Sequence, residues 1–565
     1  MENYKPIPIG VEDFKRLIDD GYYFVDKTLM IKEVLDKKGA VNLFTRPRRF
    51  GKTLNISMLQ RFFEKTDEDN AYLFDGLNIA KAGEKYMQHQ GQYPVISLSL
   101  KSMKQPDYSK SFSTFKDVMK REFWRHRNIL SSNDIVPEDR EIFTKITHGT
   151  AEDDTYITAI RTLSDCLYTT YQKKVIILID EYDVPLEASH LRGFYDEMVD
   201  LIRSVFESAL KTNPYLEFGV LTGCLRVSKE SIFTGLNNLN VYTVINNDFS
   251  YCFGFTQQEI EKIADDFGMQ DKLPEMKEWY DGYLFGQTEI YNPWSILKYV
   301  QSVRSNETCP SQPYWSNTSS NDIIYELVVN GDEETHSQIE ALVNGESLTK
   351  PIYEDITYRN ININTDYIWS FLLFTGYLKP ISMHLEGDLI YAEMVIPNRE
   401  VGTVYKRMIM QWFDEKIRTN GTDDLFKAVV NGDAESFENE ANKWLVFSIS
   451  YQDNYESFYH GFLAGLLLGK RGYRVESNRE NGKGRTDITI CEFQRRTVAV
   501  VIEVKIAKDF GDLDAACDRA MKQIAEKNYV TNFKQQYYKK VLKYGVAFCS
   551  EKVCRVKLEV EELGL

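Results

Sequence analysis

Several short, mostly apolar runs separated by polar or helical stretches constrain the fold of this chain more than any other feature of its sequence. They read VNLFT, VISLSL, VIILI and EFGVLT and cover residues 41–45, 95–100, 175–179 and 217–222. Runs without apolar–polar alternation are typical of strands that are buried on both faces. Because helical patterns separate them, the sequence predicts an α/β fold in which a mainly parallel sheet is sandwiched by helices.

A phosphate-binding loop is predicted directly after the first of these strands. Residues 46–53 read RPRRFGKT and open a helix, so backbone N–H groups and a helix N-terminus would face a phosphate. We expect Lys52 to lie in an exposed loop and reach the β- and γ-phosphates, and the Thr53 hydroxyl to bind Mg²⁺. A standard P-loop has glycine where Arg46 stands, and GKT alone fits an ordinary helix N-terminus equally well. The other predicted nucleotide-binding residues of the loop are Arg48, Arg49, Phe50 and Gly51.

The strand VIILI runs straight into two acidic residues, Asp180 and Glu181. In a P-loop enzyme the first acid orders the Mg²⁺ shell and the second polarises the attacking water. A solvated acidic loop is the alternative, but it does not explain why the acids follow the most apolar strand of the chain. At the next strand end, Thr222 is a candidate sensor of the γ-phosphate. Arg226 is a candidate to contact that phosphate or to act in a neighbouring subunit of a homo-oligomer, and both residues could equally be structural.

A second α/β pattern begins near residue 453. A helix, three strands, a helix and two strands follow one another in little over a hundred residues, which indicates a compact domain of its own. Residues 304–445 are irregular and mostly helical, and no chemistry can be placed there. We therefore predict a P-loop domain at 1–300, a mostly helical middle region at 301–450 and a C-terminal domain at 451–565.

Two strands of the C-terminal pattern predict a metal site. A hairpin turning near residue 495 places Asp487 almost opposite Glu503, and alternation points Glu503 and Lys505 to one face. Both carboxylates and the Val504 carbonyl can bind Mg²⁺ or Mn²⁺, while Lys505 assists the attacking water or stabilises developing charge. Without a metal, either at least one of the two carboxylates should titrate above its usual value or Lys505 should close over them. For this spacing alone, a surface hairpin with a cross-strand salt bridge is the stronger reading.

Neighbouring residues favour the metal site over the salt bridge. Glu456, on the preceding helix, can extend the acidic cluster, and Lys483 and Arg485 lie in a glycine-rich basic loop. Residues 470–485 form a local positive patch in a chain whose net charge is −16. That charge argues against indiscriminate coating of nucleic acid, but it leaves room for a local basic groove.

The ordered motifs resemble one protein family. GVEDFKRLIDDGYYFVDKT, LFTRPRRFGKTLN, ILIDEYDVPL, TGCLRVSKESIFTGLNNL, FGFTQQEI, YDGYLF and YNPWSIL are similar to the signature blocks of bacterial AAA-ATPase-like proteins with a C-terminal PD-(D/E)XK nuclease domain. The resemblance implies an AAA-like P-loop domain followed by a restriction-endonuclease-like domain. It also implies that Asp487, Glu503 and Lys505 are the nuclease trio, and that Gln523 belongs to the supporting helix and contacts nucleic acid. The RPRRFGKT loop is the usual form in that family.

These features together predict a cytoplasmic, ATP-binding and Mg²⁺-dependent nuclease that acts on DNA, with Mn²⁺ as an alternative metal at the nuclease site. No apolar run is long enough to span a bilayer, and eight scattered cysteines indicate reduced thiols. One alternative is a nucleotide-gated switch whose C-terminal domain binds nucleic acid or a partner without cleaving it. RNA is a less favoured substrate because no RNA-binding module is evident. Defence and DNA processing both remain open.

Overall fold

The chain divides into two compact units, Met1–Val404 and Tyr405–Leu565. We describe each unit by itself from a computed structural model. The described residues are 5–226, 232–233, 237–315, 331–354, 356–358, 366–446, 456–468, 470–481, 484–527, 530–549 and 553–563. Within these ranges, none of the helices combines the length and apolarity that crossing a membrane requires.

A five-stranded parallel sheet forms the centre of the first unit, as the apolar runs predict. Its order is β2-β3-β4-β1-β5, so β4 lies between the strand that precedes the P-loop and the strand that ends in Asp180. β1 and β3 are buried along their whole length, which explains their lack of alternation. The strands are β1 Val41–Thr45, β2 Val95–Ser99, β3 Val175–Asp180, β4 Leu216–Gly223 and β5 Leu239–Tyr242.

Helices surround this sheet and extend beyond it. Those before residue 210 are α1 Phe14–Asp19, α2 Leu29–Lys37, α3 Lys52–Phe63, α4 Asn78–Lys81, α5 Glu84–Met87, α6 Tyr108–Arg125, α7 Pro137–His148, α8 Ala159–Tyr171, α9 Val184–Arg192 and α10 Tyr195–Phe206. Those that follow are α11 Gln257–Asp266, α12 Leu273–Tyr280, α13 Pro293–Ser305, α14 Glu333–Val343, α15 Asp366–Phe374 and α16 Arg399–Asn420, the last of which begins in this unit.

Two small antiparallel sheets interrupt these helices. A hairpin of β6 Tyr283–Phe285 and β7 Thr288–Ile290 lies between α12 and α13. A three-stranded sheet of order β8-β10-β9 is built from β8 Leu348–Ile352, β9 Lys379–Glu386 and β10 Leu389–Val395. The middle region is mostly helical, as predicted, but this second sheet was not indicated by the sequence pattern.

The second unit is a five-stranded mixed sheet in the order of the chain, β11-β12-β13-β14-β15. Only β13 and β14 pair in parallel, and the helix that joins them provides the crossover that parallel strands need. The strands are β11 Tyr473–Asn481, β12 Gly484–Glu492, β13 Val498–Ile506, β14 Lys540–Cys549 and β15 Val553–Glu562. The helices are α17 Asp423–Asn431, α18 Ala434–Val446, α19 Glu456–Leu467, α20 Leu513–Lys527 and α21 Thr531–Gln535.

The two faces of this sheet are covered by different helices. Ile502 and Val504 of β13 belong to a core shared with α17, α18 and α19. Ala499 and Val501 belong to the opposite core, which includes Ile524 of α20. Residues 423–446, which the sequence places in the middle region, therefore pack on the C-terminal sheet, because their apolar side chains complete its first core.

Candidate functional sites

The phosphate loop connects β1 to α3, as predicted. Gly51, with φ 85°, precedes α3 in the left-handed region that favours glycine. Arg49 has φ 70° and Glu181 has φ 53°, so two residues without glycine's freedom hold unfavourable backbone conformations at this site. Such strain is typical of functional loops that their surroundings hold in place.

Lys52 is buried, with 6% of its surface exposed, so our expectation of an exposed loop lysine is wrong. Its Nζ donates to the carbonyl oxygens of Arg46 at 2.8 Å and Pro47 at 2.9 Å, and it lies 3.6 Å from Cys224 Sγ. A desolvated ammonium needs acceptors for its protons, and the loop carbonyls supply them. Lys52 is thus held at the base of the loop.

The predicted magnesium-binding pair is adjacent in the structure. Thr53 Oγ1 donates to Asp180 Oδ2 at 2.7 Å, and Asp180 is buried. Thr222 Oγ1 donates to the other oxygen, Asp180 Oδ1, and accepts a 3.4 Å hydrogen bond from the Glu181 backbone N–H. Thr222 therefore orients Asp180 and Glu181 from the neighbouring strand. A hydroxyl beside a carboxylate is the oxygen donor set that Mg²⁺ prefers, so these residues fit that ion.

Burial alters the pKa of the Glu181 carboxyl. Desolvation, followed by the neighbouring Asp180 charge, raises the pKa of the Glu181 carboxyl. A raised pKa makes a carboxylate a stronger base for a water proton. Asp183, which the sequence reading did not select, is also buried and accepts hydrogen bonds from the backbone N–H groups of Cys224 and Leu225. It fixes the turn after β4.

The remaining loop residues have protein partners. Arg48 forms an ion pair with Glu187 of α9, and the guanidinium of Arg49 lies 4.4 Å from the centroid of the Trp294 ring. Arg226 is 3.6 Å from Glu354. Phe50 is buried against the aromatic rings of the β6–β7 hairpin.

Arg46 explains why glycine is absent at the first position of the motif. Its side chain is fully buried and donates to the carbonyl oxygens of Thr45 and Tyr242. Its guanidinium also lies over the rings of Phe253 and Phe285, at 5.2 and 5.0 Å. The loop is therefore anchored from within by a side chain that glycine lacks.

A cavity of about 420 Å³ opens beside the loop. Lys52, Thr53 and Glu181 are among the residues that line it. The remainder includes apolar side chains of the N-terminal segment and of α13, such as Val11 and Leu297. A cavity lined by both charged and apolar side chains can hold a ligand that carries both polar and apolar groups.

The C-terminal acids converge as the hairpin predicts. Ile488 pairs with Ile502, and continuing this antiparallel register sets Asp487 opposite Glu503. Asp487 Oδ2 accepts a 2.8 Å hydrogen bond from the Val504 backbone N–H, and Glu503 is 1% exposed. Glu503 points toward α20, since its neighbours Ile502 and Val504 point to the opposite core.

Lys505 and Gln523 complete this cluster. Lys505 Nζ lies 3.3 Å from Glu503 Oε1 and 2.9 Å from the Val504 carbonyl oxygen, and Gln523 Nε2 donates to the same Glu503 oxygen. The Lys505 ammonium therefore contacts two of the groups that we assign to a metal. Two carboxylates and a carbonyl fit Mg²⁺ or Mn²⁺ with water in the remaining positions. Among the described residues, no group of three His, Cys, Asp or Glu side chains could hold a metal.

Two contributors to this site were missed in the sequence. His460 Nε2 lies 2.8 Å from the Asp487 carbonyl oxygen and so fixes the strand that carries this acid. Gly545 pairs with Glu503, and a Cβ there would lie 2.8 Å from the Cys517 carbonyl oxygen of α20. Glycine thus allows α20 to approach closely enough for Gln523 to reach Glu503.

Three predicted residues fall wholly or partly outside the described part of the chain. Lys483 lies outside the described residues, and the side chains of Glu456 and Arg485 are likewise not described, although their backbones lie in α19 and β12. In the described part of the basic patch, Lys470 forms an ion pair with Asp423, and Arg474 lies 2.7 Å from Glu476.

Fold and geometry thus define a chain that joins an α/β P-loop unit to a mixed-sheet unit with a two-carboxylate and lysine cluster. Residues 8–233 match the family model described as a predicted AAA-ATPase, and residues 454–558 match that of the PD-(D/E)XK nuclease superfamily. This is the architecture that the sequence motifs predict. The chain is also 23% identical over 580 residues, 99% of each sequence, to a protein of Azotobacter chroococcum mcd 1 described as "Uncharacterized protein in vnfD 5'region".

Proposed function

We propose that this chain is an ATP-binding and ATP-hydrolysing nuclease that uses a divalent metal to cleave DNA phosphodiester bonds, in defence or in DNA processing. The observation that carries this proposal is the convergence of Asp487 and Glu503 beside Lys505 at the end of β13. The two matched families support the pairing of an ATPase with a nuclease.

At the nuclease site, each residue has a distinct role. Asp487, Glu503 and the Val504 carbonyl hold the metal, which when bound polarises the phosphate and lowers the pKa of a water molecule. Lys505 stabilises the negative charge that develops on the phosphate oxygens. Gln523 holds one oxygen of Glu503, so that the other can face the metal. Lys483 and Arg485 are proposed to bind the nucleic-acid backbone, and Glu456 to extend the acidic cluster.

At the nucleotide site, Lys52 exchanges its loop carbonyls for the β- and γ-phosphates, and Arg48 and Arg49 lie at the loop beside it. Thr53 and Asp180 hold Mg²⁺, and Glu181 accepts the proton of the attacking water. Thr222 orients Asp180 and Glu181 by hydrogen bonds. It would therefore influence the γ-phosphate indirectly, through these two acids. Arg226 is proposed to contact the nucleotide from within the chain or from a second copy.

A cleavage assay tests this function. Purified protein is incubated with linear, circular and single-stranded DNA and with RNA, with Mg²⁺ or Mn²⁺, with and without ATP. We expect metal-dependent loss of at least one DNA substrate and none in EDTA. Intact DNA under every condition would refute the nuclease, and degradation of RNA alone would assign the other nucleic acid.

A nucleotide-gated switch is the second candidate. Lys52 is held by loop carbonyls and Thr222 by Asp180, so the loop is stable without a nucleotide. Such a switch would bind ATP tightly and turn it over slowly. A multiple-turnover ATPase assay with and without DNA separates the two, because the switch predicts binding with no sustained phosphate release.

A further inference from the structure

Two tryptophans contact the phosphate loop from outside it. Trp294, in the first turn of α13, lies under the guanidinium of Arg49 at 4.4 Å. The indole Nε1 of Trp315 donates a 3.3 Å hydrogen bond to the backbone carbonyl of Arg48. Two consecutive loop residues are therefore held by side chains that lie roughly 250 residues further along the chain.

The two segments that carry these tryptophans are hydrogen-bonded to one carboxylate, that of Glu400 in the first turn of α16. The hydroxyl of Ser295, which follows Trp294, donates to Glu400 Oε1 at 3.0 Å and to Oε2 at 2.8 Å. The backbone N–H of Trp315 donates to Glu400 Oε1 at 2.8 Å. Glu400 and Ser295 are fully buried, and Trp315 is 1% exposed.

A buried carboxylate is retained only where its hydrogen bonds are satisfied, because desolvation is costly. Glu400 meets this condition because Ser295 and the Trp315 backbone donate hydrogen bonds to it. It thereby joins the start of α13 to the segment around Trp315. A purely structural link between these two segments would be enough to explain why the Glu400 carboxylate is buried. It would not explain why one segment contacts Arg48 and the other contacts Arg49, which are consecutive residues of the phosphate loop.

The loop has a specific need for outside support. Arg49 adopts a left-handed backbone conformation that side chains other than glycine rarely hold, and such conformations persist only when the surroundings impose them. Arg46 anchors the start of the loop from within. The contacts of Trp315 and Trp294 fall on the following part, at Arg48 and Arg49.

We propose that Glu400 is a positioning residue for the phosphate-binding loop, acting through Trp315 on the Arg48 backbone and through Ser295 and Trp294 on the Arg49 side chain. Its effect on the loop is independent of any ligand. Its effect on nucleotide affinity rests on the function proposed above.

Hydrogen exchange of a peptide that covers residues 46–53 tests the first part without nucleotide. We expect amide exchange in Glu400→Ala and Trp315→Phe to be at least about fivefold faster than in the unmodified protein, because the loop opens more often. Trp315→Phe keeps a buried ring but removes the N–H donor, so it tests the contact even if Glu400→Ala folds poorly. Glu400→Gln retains a carbonyl acceptor and should restore slow exchange.

Glu122 provides the matched control. It is also buried, at 6% exposure, and its Oε1 accepts a 2.8 Å hydrogen bond from the Ser97 backbone N–H, between α6 and β2. Glu122→Ala should destabilise the unit but leave exchange of the loop peptide slow. Equal acceleration in Glu122→Ala, or none in Glu400→Ala and Trp315→Phe, would overturn the proposal.

An ATP titration of the same variants tests the second part. We expect Glu400→Ala and Trp315→Phe to weaken ATP binding about tenfold, with Glu400→Gln within about twofold of the unmodified protein. If the unmodified protein does not bind ATP while loop exchange responds as expected, the proposed function fails and the positioning role stands. If ATP binds equally to all variants and exchange is unchanged, the positioning role fails and the proposed function stands.

Discussion

At the scale of single residues, the nucleotide site is a set of polar groups that already bind one another. Lys52 holds two loop carbonyls, Thr53 holds Asp180, and Thr222 links Asp180 to Glu181. A nucleotide with its metal would replace these contacts by similar ones of its own. The polar groups are therefore positioned before the ligand arrives, which lowers the cost of ordering them on binding.

Glu181→Gln should bind ATP as the unmodified protein does but hydrolyse it at least about a hundredfold more slowly, because the amide cannot accept the proton of the attacking water. Lys52→Ala is the companion variant and should lose tight binding itself. Calorimetric titration and phosphate release measure the two properties. Normal hydrolysis by Glu181→Gln would mean that Glu181 only ends a strand.

Glu400 should make stability depend on pH. Burial raises the pKa of its carboxyl from 4.5 to about 7. Between these values the unfolded chain has released a proton that the folded chain keeps, so the free energy of unfolding falls as pH rises. The loss from this group is complete above about pH 7 and amounts to about 3 kcal/mol.

Glu400→Gln cannot titrate and should abolish this loss. Urea unfolding of both proteins at pH 5 and pH 8 measures the difference. We expect Glu400→Gln to gain stability relative to the unmodified protein at the higher pH. A difference between the two proteins that is equal at both pH values would contradict the raised pKa.

Sequence reasoning identified residues whose chemistry follows from local order and missed those that act across the fold. Asp487 and Glu503 could be paired from the length of a hairpin, because antiparallel register follows from the turn. We expected Lys52 to be exposed. Its Nζ meets the carbonyl oxygens of the loop only because the loop folds back on itself, and the local sequence does not show that conformation. His460 and Gly545 were missed because neither motif nor spacing links them to the acids.

At the scale of elements, the strands of the C-terminal sheet and four strands of the first sheet were predicted to within a few residues, since buried strands have a clear apolar signal. The fifth strand, β5, was not predicted, because it is short and only partly buried. The sheet of β8, β9 and β10 was not predicted either, because most of β9 is exposed and lacks that signal. The sequence pattern also did not indicate that α17 and α18 belong to the C-terminal core, because an amphipathic helix does not specify which sheet covers it. Contact between β14 and α20 is the element-scale feature on which the proposed nuclease site depends.

Gly545→Ala should disturb that contact. The added methyl would lie 2.8 Å from the Cys517 carbonyl oxygen and 2.9 Å from Met521 Cγ, so α20 must shift. We expect a loss of about 1–3 kcal/mol in stability and reduced cleavage, since Gln523 moves with the helix.

Gly461→Ala is the matched control for this substitution. Gly461 lies in α19, and a Cβ there would have no atom within 4 Å. This variant should be as stable as the unmodified protein or more so, because alanine favours helix. Urea unfolding and cleavage rate check both variants, and full activity in Gly545→Ala would show that close packing of α20 is not required.

At the scale of the whole molecule, the proposed nucleotide site and the proposed nuclease site lie in different compact units. Each unit has its own sheets and its own cores. The change of pattern near residue 453 predicts a separate C-terminal domain, and the second compact unit begins earlier, at Tyr405. The sheet order of either unit could not be predicted, because pairing between distant strands leaves no mark on local sequence.

The most direct test of the account compares DNA cleavage and ATP hydrolysis in Asp487→Ala, Lys505→Ala and the unmodified protein, with Mg²⁺ and with Mn²⁺. Asp487→Ala removes a proposed metal ligand, and Lys505→Ala removes the charge that stabilises the transition state. The account predicts that each loses cleavage by at least about a thousandfold while ATP hydrolysis stays within about twofold. Undiminished cleavage by either variant would contradict the assignment of the β13 cluster as the nuclease centre.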